Sequence, residues 1–304
     1  MNITVVGDTL LDEDVDGTAT RLSPDAPVPV IEIASRVARA GGAGLVARML
    51  AVDGVDVTLV TALGGDAAGD RIRGLLGGVR IVAGDAGAPT PVKTRVRANG
   101  LPVARLDEGC EQAPAPQASD RMLRAIGLAD AIVVADYGRG LTAHPEIRLA
   151  LAERAAAVPL VWDPHPRGAA PVHHTALATP NQAEAAAIVG VPREAVHTPA
   201  AIRSLHDAWE CASVAITLGE DGALLSRDPD GERLWFGADR VATHDPCGAG
   251  DRFAASAIGA LAAGADLPDA VREAVAAASD YLARGGVRTL ADERPPVPTL
   301  ASTS

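Results

Sequence analysis

The amino-acid sequence predicts an α/β fold with a central, mostly parallel sheet, helices on both of its faces and a small β-strand lid. Short apolar runs rich in β-branched residues alternate with alanine-rich helical stretches, a pattern typical of parallel sheets. Each apolar run ends in Gly, Asp or Pro, as buried central strands tend to do. Two other segments alternate polar and apolar residues, which is the pattern of strands with one exposed face.

The positions of the elements follow from these patterns. We expect the buried strands at 3–8, 57–63, 131–138, 159–164 and 214–219. The helices between them are expected at 41–53, 66–77, 118–128, 145–157 and 199–211. The alternating segments, 12–36 and 89–108, are expected to form antiparallel strands that project from the main domain as the lid. Residues 1–290 would form one domain, and the Pro-, Ser- and Thr-rich residues 291–304 a tail.

Composition and charge exclude several classes of protein. The chain of 304 residues is 48% apolar but only 2% aromatic, so its core must consist of Ala, Val, Leu and Ile. A net charge of −12 argues against nucleic-acid binding. The three cysteines lack metal-ligand spacing, and their odd number favours a reduced, cytoplasmic protein. No leader pattern precedes the first strand and no apolar run reaches the ~20 residues that span a bilayer, so no membrane contact is expected.

The run Gly248-Ala249-Gly250-Asp251 is the strongest local indication of chemistry. It leads into an alanine-rich helix, and small residues at a helix start leave N–H groups open to an anion. Asp251 would lie at the same place, where a carboxylate could accept the proton of an attacking hydroxyl. This combination suits phosphoryl transfer. The alternative is a turn in which Asp251 only caps the helix.

Two other stretches could contribute to a phosphate site. Asn181 and Glu184 stand three residues apart at the start of a predicted helix, where their oxygens could orient Mg²⁺ or its waters. The alternative is a helix cap followed by an acid in the first turn. Gly219 and Gly222 could let a nucleotide lie against the backbone, although a plain hairpin is the commoner meaning. Neither a G-x-x-x-x-G-K-[ST] loop nor a strand-linked G-x-G-x-x-G is present.

Taken together, the motifs resemble the PfkB/ribokinase family of sugar kinases over residues 3–289. The motifs, in the family's order, are GDTLLD, GGAG at 41–44, TPNQAE, TLGEDG and DPCGAGD. Within the family, the sequence is most similar to the D-glycero-D-manno-heptose 7-phosphate kinases, the kinase half of the bifunctional ADP-heptose synthases. This finer resemblance depends on RLSPDAPVPV (21–30), KTRVRANGLPVARLDEG (93–109) and ADYGRGL (135–141).

The resemblance implies a role for each matching residue. The catalytic group would be Asp251 as the base, with Gly248, Ala249 and Gly250 as the anion hole. ATP would contact Thr217, Gly219, Gly222 and Asn181, and Mg²⁺ would be held, through water, by Asn181 and Glu184. The sugar would contact Asp12, Gly41, Gly42 and Asp136. Lys93 and Arg95 would contact the substrate phosphate or the lid, the alternative being charges that protect an exposed edge strand.

Several positions depart from the family pattern. Leu45 replaces a sugar-contacting asparagine, and Val275 replaces an asparagine on the adenine side. Arg139 and His165 replace lysines of the heptose kinases. Asp245-Pro246-Cys247 alters the loop at which relatives often bind a monovalent cation; Asp245 is the candidate ligand and K⁺ the candidate ion.

The expected activity is therefore ATP-dependent phosphorylation of a sugar phosphate, with a ribokinase-like fold. A heptose 7-phosphate would give the 1,7-bisphosphate, and two subunits would pair through their lids. One alternative is a kinase of the same fold that acts on a fructose-type sugar or a nucleoside. Another is a sensor that binds sugar phosphate without catalysis, although the intact Asp251 loop argues against it.

Overall fold

The computed structural model describes residues 1–111, 116–209, 211–241, 245–290 and 292–293. In chain order, its strands are β1 (Asn2–Gly7), β2 (Thr9–Leu22), β3 (Pro29–Gly42), β4 (Asp56–Leu63), β5 (Val79–Asp85), β6 (Val92–Ala98), β7 (Leu101–Glu108), β8 (Ala131–Ala135), β9 (Leu160–Asp163), β10 (Leu177–Ala178), β11 (Val214–Thr217), β12 (Ala223–Ser226), β13 (Arg233–Phe236) and β14 (Asp292–Glu293). The helices are α1 (Ala43–Val52), α2 (Ala67–Leu75), α3 (Asp120–Gly127), α4 (Pro145–Ala155), α5 (Gln182–Val189), α6 (Pro199–Trp209), α7 (Ala249–Ala262) and α8 (Leu267–Ala283).

The main sheet has the order β13-β12-β11-β10-β9-β8-β1-β4-β5. It is parallel except for β12 and β13, which run antiparallel to their neighbours. Successive residues of a strand point to opposite faces. Val133 accordingly packs into a core with α1, α7 and α8, whereas Val134 packs into one with α3 and α4. Strands buried on both faces explain the uninterrupted apolar runs, and the predicted α/β class is confirmed.

The second sheet has the order β14-β3-β2-β6-β7 and contains both predicted lid segments. The pairs β2–β3 and β6–β7 are antiparallel, as predicted. The two pairs are joined through β2 and β6, which are parallel, an arrangement that the sequence did not predict. The chain passes through β4 and β5 before it returns to the lid, so β6 can run beside β2 in the same direction.

The lid strands β2 and β3 also belong to the main body. Each has 14 residues; the end near the main sheet is buried, and the far end is exposed. Their pairing register shifts at Asp16/Gly17 and again between Ala19 and Arg21. Strand β7 is exposed along its whole length. The lid is therefore a continuation of two strands rooted in the core.

Most differences from the predicted elements lie at their ends. The strands predicted at 131–138 and 214–219 stop at Ala135 and Thr217, where loops begin that lead to the candidate site. The predicted tail, 291–304, lies outside the described residues apart from β14. Among the described residues, no helix has the length and apolar character needed to cross a membrane.

Strands β1 and β8 approach each other closely at Gly7, so a substitution there tests their packing. A Cβ atom on Gly7 would lie 1.9 Å from the carbonyl oxygen of Ala135 on β8. We expect Gly7→Ala to push the central strands apart and to lower the free energy of unfolding by roughly 3 kcal/mol. The measurement is urea denaturation followed by circular dichroism.

Gly74→Ala is the matched control, because Gly74 lies in α2 with open space where a Cβ would be. This variant should be neutral or more stable by about 0.5–1 kcal/mol, since alanine favours helix over glycine. Equal stability of the two variants would contradict the packing described for β1 and β8.

Candidate active site

The turn before α7 leaves two backbone amides open at the start of the helix. Gly248 precedes the helix in a left-handed conformation, with a φ of 82°, and a Cβ there would lie 2.6 Å from the Tyr281 hydroxyl. The N–H of Ala249 donates to the Pro246 carbonyl, and the N–H of Arg252 donates to that of Gly248. The amides of Gly250 and Asp251 lie between these bonds, at the positive end of the helix dipole. Of the predicted anion hole, the Ala249 amide is thus already used within the turn.

Asp251 lies in the first turn of α7, and its side chain is buried. The hydroxyl of Tyr137 donates a hydrogen bond of 2.8 Å to its Oδ1. Burial raises the pKa of Asp251 to about 6, the Tyr137 hydrogen bond lowers it, and the charge of Asp12 raises it. The site therefore holds a carboxylate that binds protons far more readily than one in water, yet is ionised at neutral pH.

Asp163, at the end of β9, was not among the predicted site residues. The hydroxyl of Thr179 donates to its carboxyl at 3.1 Å. Burial, and next the charge of Asp251, raise the pKa of Asp163 well above its usual range. Asp163 therefore binds a proton more readily than a carboxyl group in water. Its place after an apolar strand was the available signal, because ligands of such sheets bind at the carboxyl ends of the strands.

Asp12 lies on β2 at the root of the lid, where the sugar was predicted to bind. The structure brings Gly41 beside it, since a Cβ on Gly41 would lie 2.6 Å from Oδ2 of Asp12. Gly42 follows and caps the start of α1. Two arginines, Arg39 and Arg95, approach the same carboxylate at 3.9 Å and 3.2 Å. Arg39 is almost wholly buried and was missed, because a single arginine within a strand carries no motif.

Strand β6 directs its cations toward the site from the lid. Lys93, Arg95 and Arg97 alternate along it and therefore share one face. Arg95 reaches Asp12 and also lies 3.6 Å from the thiol of Cys247. Burial raises the pKa of Cys247, so the thiol form is favoured.

The predicted monovalent-cation ligand, Asp245, has a different partner. Its carboxylate pairs with Arg97 and accepts the N–H of Cys247 at 3.1 Å. Burial alone would raise the pKa of Asp245, but the hydrogen bond from Arg97 lowers that pKa below its usual value. A guanidinium therefore already pairs with this carboxylate, and K⁺ binding at Asp245 stays a prediction.

Asp136 was predicted to face the substrate, and in the structure its side chain contacts two neighbouring loops. Its carboxylate is buried and accepts hydrogen bonds from the Gly138 and Ala169 amides and from the Thr142 hydroxyl, at 2.7–2.8 Å. Gly168 lies directly against it. The loops after β8 and β9 therefore use Asp136 to hold each other in place.

A cavity of about 360 Å³ opens beside the start of α7. The predicted nucleotide contacts Thr217, Gly219 and Gly222 line it. So do Ala249 and Gly250 of the turn, together with apolar residues of α7 and α8: Phe253, Val275, Ala278 and Leu282. An apolar cleft that ends at exposed helix amides suits a flat ring attached to phosphates.

Asn181 and Glu184 form a capping box at the start of α5. Asn181 Oδ1 accepts the N–H groups of Ala183 and Glu184, and the Glu184 carboxylate accepts the N–H of Asn181 at 2.8 Å. The helix-cap alternative therefore describes their contacts correctly. A backbone bridge from Asn181 to Thr217 places them beside the cavity, and burial raises the pKa of Glu184. Among the described residues, no cluster of three or more His, Cys, Asp or Glu side chains is arranged to hold a metal ion.

Known proteins resemble this chain in both sequence and structure. The bifunctional protein HldE of Streptomyces coelicolor is 44% identical over 294 residues, which cover 93% of this chain and 60% of the relative. Ribokinase from Arabidopsis thaliana, solved with ribose and ATP, superposes with a TM-score of 0.74 at 22% identity over 94% of both chains. Ribokinase from Thermotoga maritima gives 0.68 at 19% identity over 96% of both. The ribokinase-like fold is thereby confirmed.

The sequence profile described as "pfkB family carbohydrate kinase" matches residues 1–294. The chain spans about three fifths of the length of the bifunctional relative. The family match covers both sheets, the cavity and the turn before α7. The chain therefore belongs to the pfkB family of carbohydrate kinases, enzymes that transfer a phosphoryl group to a hydroxyl of a sugar.

Proposed function

We propose that the chain uses ATP to phosphorylate a hydroxyl of a phosphorylated sugar, namely a heptose 7-phosphate, giving the 1,7-bisphosphate. The observation that carries the proposal is the buried carboxylate of Asp251 beside two open helix amides. The Asp251 carboxylate lies between a nucleotide-sized cavity and the polar residues at the root of the lid. The Arabidopsis ribokinase complex with ribose and ATP supports a sugar and ATP as the two ligands.

In the proposed reaction Asp251 acts as the base. Its carboxylate takes the proton of the sugar hydroxyl while the hydroxyl oxygen forms a bond to the γ-phosphorus of ATP. The bond from that phosphorus to the bridging oxygen breaks, and ADP leaves with the bond's electron pair. The amides of Gly250 and Asp251 stabilise the negative charge on the phosphoryl oxygens as it moves.

The residues at the cavity edge fit Mg²⁺ bound through water. Glu184 offers a carboxylate and Asn181 an amide, and Mg²⁺ prefers oxygen ligands while retaining several of its waters. Both side chains are partly used in their capping box, which favours contact through water over direct coordination. When bound with ATP, the ion would neutralise phosphate charge.

The heptose assignment derives from three segments and their places in the structure. Residues 21–30 connect β2 to β3 at the lid tip, and 93–109 include β6 and β7. Residues 135–141 form the loop after β8, whose Tyr137 touches Asp251. The three segments that resemble heptose kinases thus lie on the sugar side or in the lid.

The proposal has two rivals, a kinase for fructose-type sugars or nucleosides and a sensor without catalysis. The ion pairs of Arg39 and Arg95 with Asp12 favour a polar acceptor over a nucleoside base. The position of Asp251 beside open amides favours catalysis over sensing.

We also propose that two subunits pair through their lids. The outer parts of the lid expose large apolar side chains: Leu22, Val28, Ile33, Leu101, Val103 and Leu106. Clustered exposed apolar residues mark protein contact surfaces in soluble proteins.

An acceptor panel tests the function. Purified protein with ATP and Mg²⁺ should phosphorylate D-glycero-D-manno-heptose 7-phosphate faster than ribose, fructose 6-phosphate or adenosine, measured as ADP release.

Asp251→Asn should lower kcat by about 10²–10⁴-fold, because asparagine cannot accept the proton. Asp120→Asn, at an exposed position in the first turn of α3, is the control and should keep full activity. Faster turnover of ribose or adenosine would refute the heptose assignment, and full activity of Asp251→Asn would refute the base.

Tyr137→Phe tests how the base is tuned. Removing the donated hydrogen bond should raise the pKa of Asp251 above its value of about 6. Because the base must be ionised, activity falls as pH drops through this pKa, and the acid limb of kcat/KM should move up by about one pH unit. Tyr281→Phe is the control, since that hydroxyl donates to the Cys247 carbonyl and should leave the limb in place. If the acid limb of kcat/KM stays in place in Tyr137→Phe, the Tyr137 hydrogen bond does not set the pKa of the base.

Light scattering after size-exclusion chromatography tests the lid contact. Wild-type protein should run as a dimer, and Leu101→Glu with Leu106→Glu should run as a monomer, because charge on the lid opposes its burial. Leu149→Glu replaces a leucine on α4 that is equally exposed and should remain dimeric. A monomeric wild-type protein would exclude the lid dimer.

A further inference from the structure

The turn before α7 is held in place by side chains that lie outside it. The Asp245 carboxylate accepts the N–H of Cys247 at 3.1 Å, and the Cys247 carbonyl accepts the hydroxyl of Tyr281 on α8 at 3.3 Å. The open amides of Gly250 and Asp251 follow within the first turn of the helix. Their positions therefore depend on what holds Asp245 and Cys247.

Arg97 of β6 joins this turn to the lid. Its guanidinium forms an ion pair with the Asp245 carboxylate across a separation of 148 residues. The Arg97 side chain is only 14% exposed, so the pair is largely shielded from water. A solvated surface pair contributes little, whereas a shielded pair is costly to break at one end, because the other charge loses its counter-charge. The place of Asp245 is thus tied to the lid strand.

The lid strand contacts the turn at two points. Arg95, on the same face of β6 as Arg97, lies 3.6 Å from the Cys247 thiol. Asp16 is the residue paired in register with Arg97 on β2, yet the Arg97 guanidinium reaches Asp245 instead. The contact between the lid and the turn is therefore made by a pair of arginines and not by a single side chain.

A positive charge beside the Asp245 carboxylate can come from K⁺, the ion predicted from the sequence, or from the chain itself. Proteins bind K⁺ through oxygen atoms that replace its hydration shell. The Arg97 guanidinium already pairs with the carboxylate oxygens, and it would repel a second cation there. The Cys247 carbonyl is engaged by the Tyr281 hydroxyl. These contacts favour the chain's own cation.

We propose that Arg97 is a positioning residue for phosphoryl transfer, whose guanidinium holds Asp245, and thereby the turn before α7, without a bound monovalent cation. This inference rests on the proposed function, because it assumes that the amides after this turn receive the transferred phosphoryl group. Since Arg97 belongs to β6, the anion hole keeps its shape only while the lid strand lies against the turn. The lid thus supports the reaction as well as covering the sugar.

Steady-state kinetics in potassium chloride and in choline chloride of equal ionic strength test the inference. The acceptor is the one in the panel that the wild type phosphorylates fastest, and wild-type kcat should be the same in both salts. In choline chloride, Arg97→Met should lose about 10–10²-fold in kcat with little change in KM for ATP, because a displaced turn misplaces the amides. Potassium chloride, or guanidinium chloride at millimolar concentration, should restore most of this loss by placing a free cation beside Asp245.

Three further variants show whether such a rescue is specific. Arg97→Lys keeps a cation at this position and should work equally well in both salts. Arg97→Met combined with Asp245→Asn has no carboxylate to balance and should be rescued by neither cation. Arg105→Met is the matched control, because this lid arginine also pairs with an aspartate, Asp107, but the pair is exposed and lies within β7. This control should keep the wild-type kcat in both salts.

Calorimetric titration without an acceptor gives a readout that does not depend on turnover. The probes are ADP and a non-hydrolysable ATP analogue, which differ by the terminal phosphate. In choline chloride, Arg97→Met should bind the analogue about tenfold more weakly than the wild type does, because only the terminal phosphate would reach the amides. Its affinity for ADP should be unchanged, and potassium chloride should restore its affinity for the analogue.

A wild-type kcat that requires potassium overturns the inference, as does full activity of Arg97→Met in choline chloride. A loss in Arg97→Met that neither an added cation nor Arg97→Lys restores also overturns it. If the wild type phosphorylates no acceptor, the proposed function is wrong and the titrations decide: the predicted pattern supports the role of Arg97, and equal affinities for the analogue overturn it. If Arg97→Met does not fold, equal activity of Arg97→Lys in both salts supports the inference, and any other result overturns it.

Discussion

The burial of Arg39 is the constraint on which the sugar side of the site depends. A guanidinium removed from water is tolerated only where anions and acceptors surround it. Asp14 and Asp12, two residues apart on β2, supply that environment across the hairpin. The pairing fixes the register of β2 against β3 at the root of the lid, and it turns the Asp12 carboxylate toward Arg95. The charge of Asp12 raises the pKa of Asp251, so the same ion pairs also affect the protonation of the candidate base.

The acids of the site differ in protonation because their surroundings differ. Asp245 keeps its charge through Arg97, whereas burial and the neighbouring Asp251 favour protonation of Asp163. Asp8, buried at the end of β1, has a pKa raised to about 6 by burial, although the amides of Arg139 and Tyr137 donate to it. Several carboxyl groups can therefore lie close together without a prohibitive sum of negative charge, and Asp251 remains the one placed beside open helix amides.

Local patterns predicted the parts of the site that are themselves local. The glycines before α7, Asp251 and the cap of α5 each follow from a few consecutive residues, and the strand runs predicted the fold class. Tyr137 could not be predicted as a partner of Asp251, because the pair is separated by 114 residues. Arg97 and Asp245 are 148 residues apart for the same reason. Asp136 was placed correctly after a strand, but its contact with the loop after β9 could not be predicted, because that loop is distant in sequence.

The unbroken course of β2 and β3 has a mechanical consequence. A lid joined to its core by loops swings freely, whereas this lid extends strands whose other ends are buried in the main body. Any movement over the substrate must then bend the strands themselves. The two register shifts, at Asp16/Gly17 and between Ala19 and Arg21, interrupt the ladder where the strands leave the core. Bending of the lid is therefore expected at these two irregularities and not at a hinge loop.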